Sequence, residues 1–373
     1  MANLKRVVCF LLSLTLLSGI TASAVSTSAK AAAVINGDTG ELIYAQNADE
    51  KLPMASTTKI MTALLLCEHG ELQKEITVTA DMLRVEGSSM GLLAGDRVTY
   101  HDLLYGMMLA SGNDAANVTA IALGGTVEIF TEMMNNRARE LGLENTRFVT
   151  PSGLDAEGHC TTARELALLA YHALKNEEFA KAAASKTATL NYGNPPYRRT
   201  LKNHNKMLTL YEGAVGVKTG FTKKSGRCLV SAARREGKLA IAVTLNDLND
   251  WSDHAALLDY GLSSIKQTAF SPKTASYLLP VIGADINEIQ VFIEPYTVNT
   301  LETEEIGCTV RLPQFVYAPI KKGEVLGTAV YTLNGDIIGT ADICAPKSIA
   351  VINAAPNKGA VFLRNLKYIL LNI

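Results

Sequence analysis

The sequence predicts an α+β fold, an antiparallel sheet packed against a helical cluster, followed by a small all-β unit. Three observations carry this. Strand-like runs lie near Ala33 and again between Ala214 and Leu245, helical patterns fill the interval between them, and after Phe270 the texture changes to short alternating runs. Composition permits such a fold: of 373 residues 48% are apolar and 19% charged, enough to build a large core and to exclude wholesale disorder. The charge balance of 35 Lys plus Arg against 36 Asp plus Glu leaves a net charge of −1, so no general attraction to nucleic acid is expected.

Lys5 and Arg6 precede an apolar run from Val7 to Leu17, and Ala22-Ser23-Ala24 then supplies the small side chains a signal peptidase accepts. The run is too short to span a bilayer, which takes about 20 residues. Residues 1–24 are therefore expected to be a cleaved signal peptide, and the mature protein to work outside the cytoplasm, at the outer face of the cytoplasmic membrane or in the cell wall space. Removal of Cys9 with the leader leaves Cys67, Cys160, Cys228, Cys308 and Cys344, an odd number that argues against a fully bridged framework.

Val34–Tyr44 looks like two short strands joined by an Asn/Gly/Asp turn. Helical patterns follow at Thr57–Cys67, His101–Leu109, Asp114–Leu123, Val127–Leu141 and Thr162–Lys175, and strands return at Ala214–Thr219, Gly226–Arg234 and Lys238–Leu245. These make one unit over 25–270. A second, all-β unit over 271–355 contains Ile289–Ile293, Cys308–Leu312 and Val325–Leu333, the last leading into the hairpin turn Leu333-Asn334-Gly335-Asp336. In the tail over 356–373, Phe362, Leu363, Leu366, Ile369, Leu370 and Ile373 share one helical face. Such a stripe fits a terminal helix packed on its own unit or one lying in a membrane interface.

The chemistry concentrates in three places. Ser56-Thr57-Thr58-Lys59 opens a helix whose next turns, Ile60 to Leu66, are apolar nearly all round, so this helix should be buried. A spacing of three puts the Ser56 hydroxyl and the Lys59 amine on one face. The helix N-terminus adds unpaired N–H groups that stabilise charge developing on an acyl oxygen. For Lys59 to act as a base its pKa must fall from about 10.4 toward 7, a differential cost to the ammonium of about 4–5 kcal/mol, which burial and a second cation can supply. Alone the spacing is weak, since Ser263-Ser264-Ile265-Lys266 repeats it without a buried helix after it. Ser111-Gly112-Asn113 lies in a break between two helical patterns, where Ser111 offers a second hydroxyl for proton relay and the Asn113 amide can orient both Lys59 and a peptide group, although these residue types also make ordinary capping turns. Lys218-Thr219-Gly220 ends an apolar strand. There Lys218 and Thr219 suit a carboxylate, Gly220 lets substrate backbone approach, and the Phe221 N–H completes an oxyanion hole with that of Ser56.

At these residues the chain resembles the low-molecular-mass penicillin-binding proteins that are serine-type D-alanyl-D-alanine carboxypeptidases, within the wider group that includes class A β-lactamases. The resemblance covers Met54–Leu66, Gly87–Gly95, Leu103–Asn117 and Gly216–Val230, and continues through Pro319–Leu333. It implies a penicillin-recognising fold with a C-terminal β-domain, often followed by an amphipathic membrane-attachment helix; here the final 13 residues make a short tail that carries two cations, Arg364 and Lys367. By residue it implies Ser56 as the acylated nucleophile, Lys59 as proton acceptor, Ser111 and Asn113 as participants, and Lys218 and Thr219 as binders of the terminal carboxylate. The implied substrates are peptidoglycan stem peptides, the implied covalent inhibitors β-lactam antibiotics, with no metal or cofactor.

Two features compete. Gly87-Ser88-Ser89-Met90-Gly91 matches the nucleophile-elbow pattern but lacks the preceding hydrophobic strand and the following helix, and is read as a structural loop. Glu165 invites comparison with the deacylating Glu of class A β-lactamases, yet it sits where an acidic residue opens an amphipathic helix. His69, His101, His159, His172, His204 and His254 show no metal-ligand spacing. The leading expectation is a carboxypeptidase that releases the terminal D-Ala of stem pentapeptides through an acyl-serine. The alternatives are a β-lactamase, separated by fast lactam turnover, and a non-catalytic wall-associated binding protein, separated by the absence of acylation.

Overall fold

The strands from the two ends of the first unit meet in one sheet. A computed structural model of the chain describes residues 25–301, 306–333 and 335–352. The leader over 1–24, the tail over 356–373 and Asn334 of the hairpin turn lie outside the described residues. β1 (Ala31–Asn36) turns back into β2 (Leu42–Gln46), with Gly40 at φ +83° donating its N–H to the Asn36 carbonyl at 2.7 Å, a backbone conformation that favours glycine. The chain then forms a 3-10 turn (Ala55–Thr58), α1 (Lys59–His69), β3 (Glu75–Thr77), β4 (Arg97–Thr99), α2 (Tyr100–Met108), α3 (Asn113–Gly124), α4 (Val127–Glu140), α5 (Ala163–Leu174), α6 (Glu177–Ala184), β5 (Thr187–Gly193), β6 (Pro196–Lys202) and the single turn α7 (Met207–Leu210). It returns as β7 (Ala214–Thr222), β8 (Gly226–Arg235), β9 (Lys238–Leu245) and α8 (Asp250–Ser264). The five-stranded sheet has the order β2-β1-β9-β8-β7 with every pair antiparallel, which leaves β7 as an edge.

Strand periodicity divides the core between two faces. On β1, Ala31, Ala33 and Ile35 point into the large core shared with the helical cluster, while Ala32 and Val34 point to the other side; on β9, Ile241 and Val243 alternate in the same way with Ala240 and Ala242. The second face is covered by α8, which the sequence analysis did not identify as a helix. Gly261 explains both the oversight and the fit: glycine weakens a helical signal, yet a Cβ there would come within 2.8 Å of Val34 Cγ1 and 3.0 Å of Ala240 Cβ. Helix starts follow capping chemistry, with the Thr99 and Asp102 side chains forming a reciprocal box at α2 and Thr162 accepting from the Glu165 N–H at α5.

α1 is buried as its apolar run predicts. Ile60, Met61, Leu64 and Leu66 are enclosed, each contributing about 1.5–3 kcal/mol of burial free energy. That core holds the base of the Ala55–Thr58 turn.

His254 of α8 is fully enclosed behind the sheet, its Nδ1 facing Ser231 Oγ and its Nε2 at 2.9 Å from Thr244 Oγ1. Burial pushes its pKa down to about 3. Between this value and the unfolded value of about 6.5, the unfolded chain binds a proton that the folded chain refuses, so stability falls as pH falls through that window by up to about 1.4 kcal/mol per unit. Urea midpoints measured at pH 7 and pH 4.5 should drop steeply in the wild type and less steeply in His254→Gln; equal slopes would exclude this account.

The remaining strands are β10 (Lys266–Phe270), β11 (Ser276–Ile282), β12 (Glu288–Phe292), β13 (Tyr296–Thr300), β14 (Ile306–Arg311), β15 (Val316–Tyr317), β16 (Val325–Leu333) and β17 (Asp336–Cys344). They build small sheets around a separate core in which Tyr296 and Tyr331 stack with centroids 4.3 Å apart. β10 precedes the expected break at 270/271 but pairs throughout with β13, so strand pairing of this second unit begins at Lys266. The β1–β2 turn touches this unit: Asn36 Nδ2 donates to the Asn299 carbonyl at 2.7 Å and Asn299 Nδ2 to Asp38 at 2.9 Å.

Candidate active site

The three motif segments converge on one cleft of about 410 Å³, whose walls include Ser56, Ser88, Ser111, Thr219, Gly220 and Phe221. Ser56 stands in the 3-10 turn ahead of α1. The preceding Ala55 has φ +49°, an unusual conformation for a residue with a side chain, and Ser111 at φ +55° is a second case on the opposite wall. The turn is braced by its own hydroxyls, Thr57 Oγ1 donating to the Met54 carbonyl at 2.6 Å and Thr58 Oγ1 to the Ala55 carbonyl at 2.8 Å.

Lys59 Nζ, wholly buried, lies 3.0 Å from Ser56 Oγ, 2.7 Å from Asn113 Oδ1 and 2.7 Å from the Ser152 carbonyl. Asn113 Nδ2 donates to the Glu86 carbonyl at 2.7 Å, which fixes the amide with its oxygen toward the amine. Burial, then the nearby Lys218 cation, holds Lys59 well below the ordinary lysine pKa, with Asp114 acting in the opposite direction. Lys218, 1% exposed, places Nζ 3.0 Å from Ser111 Oγ and 2.9 Å from the Thr219 carbonyl, and burial pushes its pKa down to about 7. The predicted residues thus form two hydrogen-bonded groups, Ser56 with Lys59 and Asn113, and Ser111 with Lys218, and Ser56 and Ser111 both line the cleft.

Thr219 and Gly220 lie on the edge strand β7, beside the turn that carries Ser56. A Cβ on Gly220 would stand 3.0 Å from the Ser56 backbone nitrogen and 3.1 Å from the Met54 carbonyl, so this backbone packs directly on the turn. Gly220→Ala should push Ser56 out of line and lower the acylation rate constant for a penicillin by about 100-fold with little change in melting temperature; an unchanged rate would refute the close-approach argument. Phe221 is 67% exposed at the cleft mouth.

The Gly87–Gly91 segment is a loop, as read, and is clamped to the start of α3. The Ser88 carbonyl accepts from the Asn113 N–H at 2.7 Å, and the Asp114 carboxylate accepts from Ser89 Oγ at 2.5 Å and from the N–H groups of Met90, Gly91 and Leu92 at 3.0–3.1 Å. Glu165 is spent on structure, accepting from the Asn145 N–H at 2.8 Å and from Thr146 Oγ1 at 2.5 Å. Among the described residues the one carboxylate lining the cleft is Asp250, held 3.3 Å from Arg227.

Several contributors had escaped the sequence analysis. The Ser152 carbonyl has no signature because any residue carries one. Asp114 acts through backbone N–H groups far along the chain. Arg227 pairs in register with Phe221 across β7 and β8, an adjacency visible only once the strands are aligned.

Comparison with known proteins places this geometry. The family described as D-alanyl-D-alanine carboxypeptidase matches residues 18–249, and the penicillin-binding protein 5 C-terminal domain matches residues 275–350. The chain belongs to the D-alanyl-D-alanine carboxypeptidase family. It is 31% identical over 345 residues to the D-alanyl-D-alanine carboxypeptidase DacF of Bacillus subtilis, covering 88% of this chain and 87% of that one. It is 36% identical over 249 residues to a D-alanyl-D-alanine carboxypeptidase of Streptomyces sp. strain K15, covering 61% and 85%. Among solved structures, the D-alanyl-D-alanine carboxypeptidase DacD from Francisella tularensis aligns with a TM-score of 0.64 and 26% identity over 89% of this chain and 96% of that one. The penicillin-binding α+β fold and its β-domain follow the expectation from the sequence.

Proposed function

We propose that this enzyme is a serine-type D-Ala-D-Ala carboxypeptidase that removes the terminal D-Ala from peptidoglycan stem pentapeptides and is acylated by β-lactams. The observation that carries the reading is the set of partners around Lys59. Two of the three, the Asn113 Oδ1 and the Ser152 carbonyl, can only accept, and the third is a hydroxyl. A neutral amine satisfies this set, with two hydrogens for the two carbonyl acceptors and its lone pair for the Ser56 O–H, and burial together with the Lys218 charge favours that form over the ammonium.

The reaction follows from this geometry. Ser56 Oγ attacks the penultimate carbonyl carbon while its proton passes to Lys59 Nζ, and the oxyanion is stabilised by the N–H groups of Ser56 and Phe221. An extended peptide laid along the free edge of β7 presents that carbon to Ser56, with Gly220 giving room for its backbone. Ser111 passes its hydrogen to the leaving amine and takes one from Lys218; the C–N bond breaks, that nitrogen takes up the proton, and D-Ala departs. Water then attacks the ester, its proton returning to Lys218 through Ser111, while Ser56 leaves with the proton held by Lys59 and the shortened peptide is released. Lys218 and Thr219 border the site of the substrate carboxylate, and Arg227, about half exposed on the rim, adds a positive charge.

The β-lactamase reading lacks a deacylating Glu in the described cleft, because Glu165 is committed to Asn145 and Thr146. The test is to incubate the protein with a D-Ala-D-Ala-ended peptide and, separately, with a penicillin. Release of D-Ala together with slow loss of the penicilloyl group supports the proposal; rapid lactam turnover favours the second reading, and no acylation excludes both.

We further propose export to the outer face of the cytoplasmic membrane or the cell wall space, supported by the leader-like pattern of Lys5, Arg6 and Ala22-Ser23-Ala24. Attachment to a membrane surface rests on the apolar stripe of the tail alone.

A further inference from the structure

His159 has no place in the three motifs, yet it joins the segments that carry both halves of the Ser56 and Lys59 pair. It is 5% exposed. The Val149 N–H donates to its Nδ1 at 3.0 Å, which makes Nδ1 the acceptor and puts the hydrogen of the neutral ring on Nε2. Nε2 faces Thr58 Oγ1 at 2.8 Å, so that hydroxyl accepts from the ring and gives its own hydrogen to the Ala55 carbonyl at 2.8 Å. The bonds run in one direction: Val149 N–H, imidazole, Thr58 hydroxyl, Ala55 carbonyl. Burial lowers the ring's pKa to about 4, which keeps it in this neutral form near neutral pH.

Each end of the chain of bonds leads to the chemistry. Ala55 is the residue at φ +49° immediately before the nucleophile. Val149 opens the segment in which the Pro151 carbonyl accepts from Thr62 Oγ1 at 2.6 Å and the Ser152 carbonyl accepts from Lys59 at 2.7 Å. Gly153, at φ +88°, packs so closely on the Ala55 carbonyl that a Cβ would collide with it. One imidazole therefore ties the turn that aims Ser56 to the strand of backbone that anchors Lys59.

We infer that His159 is a positioning residue for acyl transfer, fixing the Ala55–Thr58 turn against the 149–153 segment and so setting the separation of Ser56 Oγ and Lys59 Nζ. The inference rests on the acyl-serine reading of the site. A displacement of about 1 Å between reacting groups costs about 100-fold in rate, so the link is expected to act on the chemical step more than on binding.

The test uses the full chain, a fluorescent penicillin and stopped-flow acylation, with melting temperatures recorded in parallel. His159→Phe removes both polar ends of the ring and is expected to lower the limiting acylation rate about 100-fold, with the half-saturating penicillin concentration changed less than about threefold. His159→Gln, which keeps a donor toward Thr58, is expected to recover at least about tenfold of that loss. His254→Phe, a buried histidine behind the sheet, serves as the stability control and should acylate at the wild-type rate despite a comparable fall in melting temperature. If His159→Phe does not fold, Thr58→Val breaks the same link and should show the same rate loss, with a further His159→Gln change adding little.

Wild-type acylation rates in folded His159→Phe or in Thr58→Val would overturn the inference, as would an equal loss in His254→Phe. Failure of the wild type itself to acylate would instead remove the underlying reading of the site.

Discussion

Ser56→Ala is expected to abolish both D-Ala release and penicillin labelling, lowering turnover by at least about 10,000-fold while the circular dichroism spectrum and melting temperature stay near those of the wild type. The size of the effect follows from the reaction, since no ester can form without the Oγ. The small effect on stability follows from the location. Ser56 borders a solvent-filled cleft, and the bonds that shape its turn come from Thr57 and Thr58 rather than from the serine hydroxyl. Removing one oxygen leaves the Lys59 amine its two carbonyl acceptors. A variant that still released D-Ala at a tenth of the wild-type rate would mean that another nucleophile serves the cleft.

Lys59→Arg should be nearly as damaging for a different reason. The substitution retains positive charge and donor capacity, so a residue that only neutralised charge would tolerate it. A guanidinium does not lose its proton near neutral pH and cannot take the one from Ser56. It is also larger than the ammonium, in a pocket where the lysine is completely enclosed. Acylation is expected to fall by about 1,000-fold or more, and raising the pH to 10 should not restore it, because no deprotonated form becomes available. Wild-type acylation should instead be lost as pH falls through the depressed pKa of Lys59, where the ammonium form takes over. Near-normal acylation by Lys59→Arg, measured with a fluorescent penicillin and a folding control, would assign the base elsewhere.

Much of the fold and the outline of the site could be read from the residues alone, and the parts that could not have physical causes. The buried character of α1 was legible because Ile60 to Leu66 are apolar nearly all round, and it placed Ser56 and Lys59 at the start of an enclosed helix. Strands β7, β8 and β9 were legible as apolar runs bounded by charged and glycine turns. Helix α8 was not, since Gly261 and the small side chains that let it sit close to β1 and β9 are the ones that weaken a helical pattern.

Convergence of the three motif segments could be expected from their joint presence, but the means of convergence could not. The Ser152 carbonyl and the Asp114 grip on the Met90–Leu92 amides use backbone atoms, which leave no trace in residue identity. Position 159 was considered only for metal spacing, because its partners Thr58 and Val149 are distant in sequence or carry an undistinguished N–H. Strand β10 lies before the expected boundary, while its pairing partner, β13, lies after it.

The central claim is that one hydroxyl, delivered by a buried turn to a neutral lysine, carries the covalent step. Peptide mapping by mass spectrometry after brief exposure of the wild-type protein to a penicillin tests it most directly. The account predicts a single added penicilloyl group on the peptide that contains Ser56. An adduct on a peptide containing Ser88 or Ser111 in place of Ser56, or lactam hydrolysis with no adduct at any time point, would contradict it.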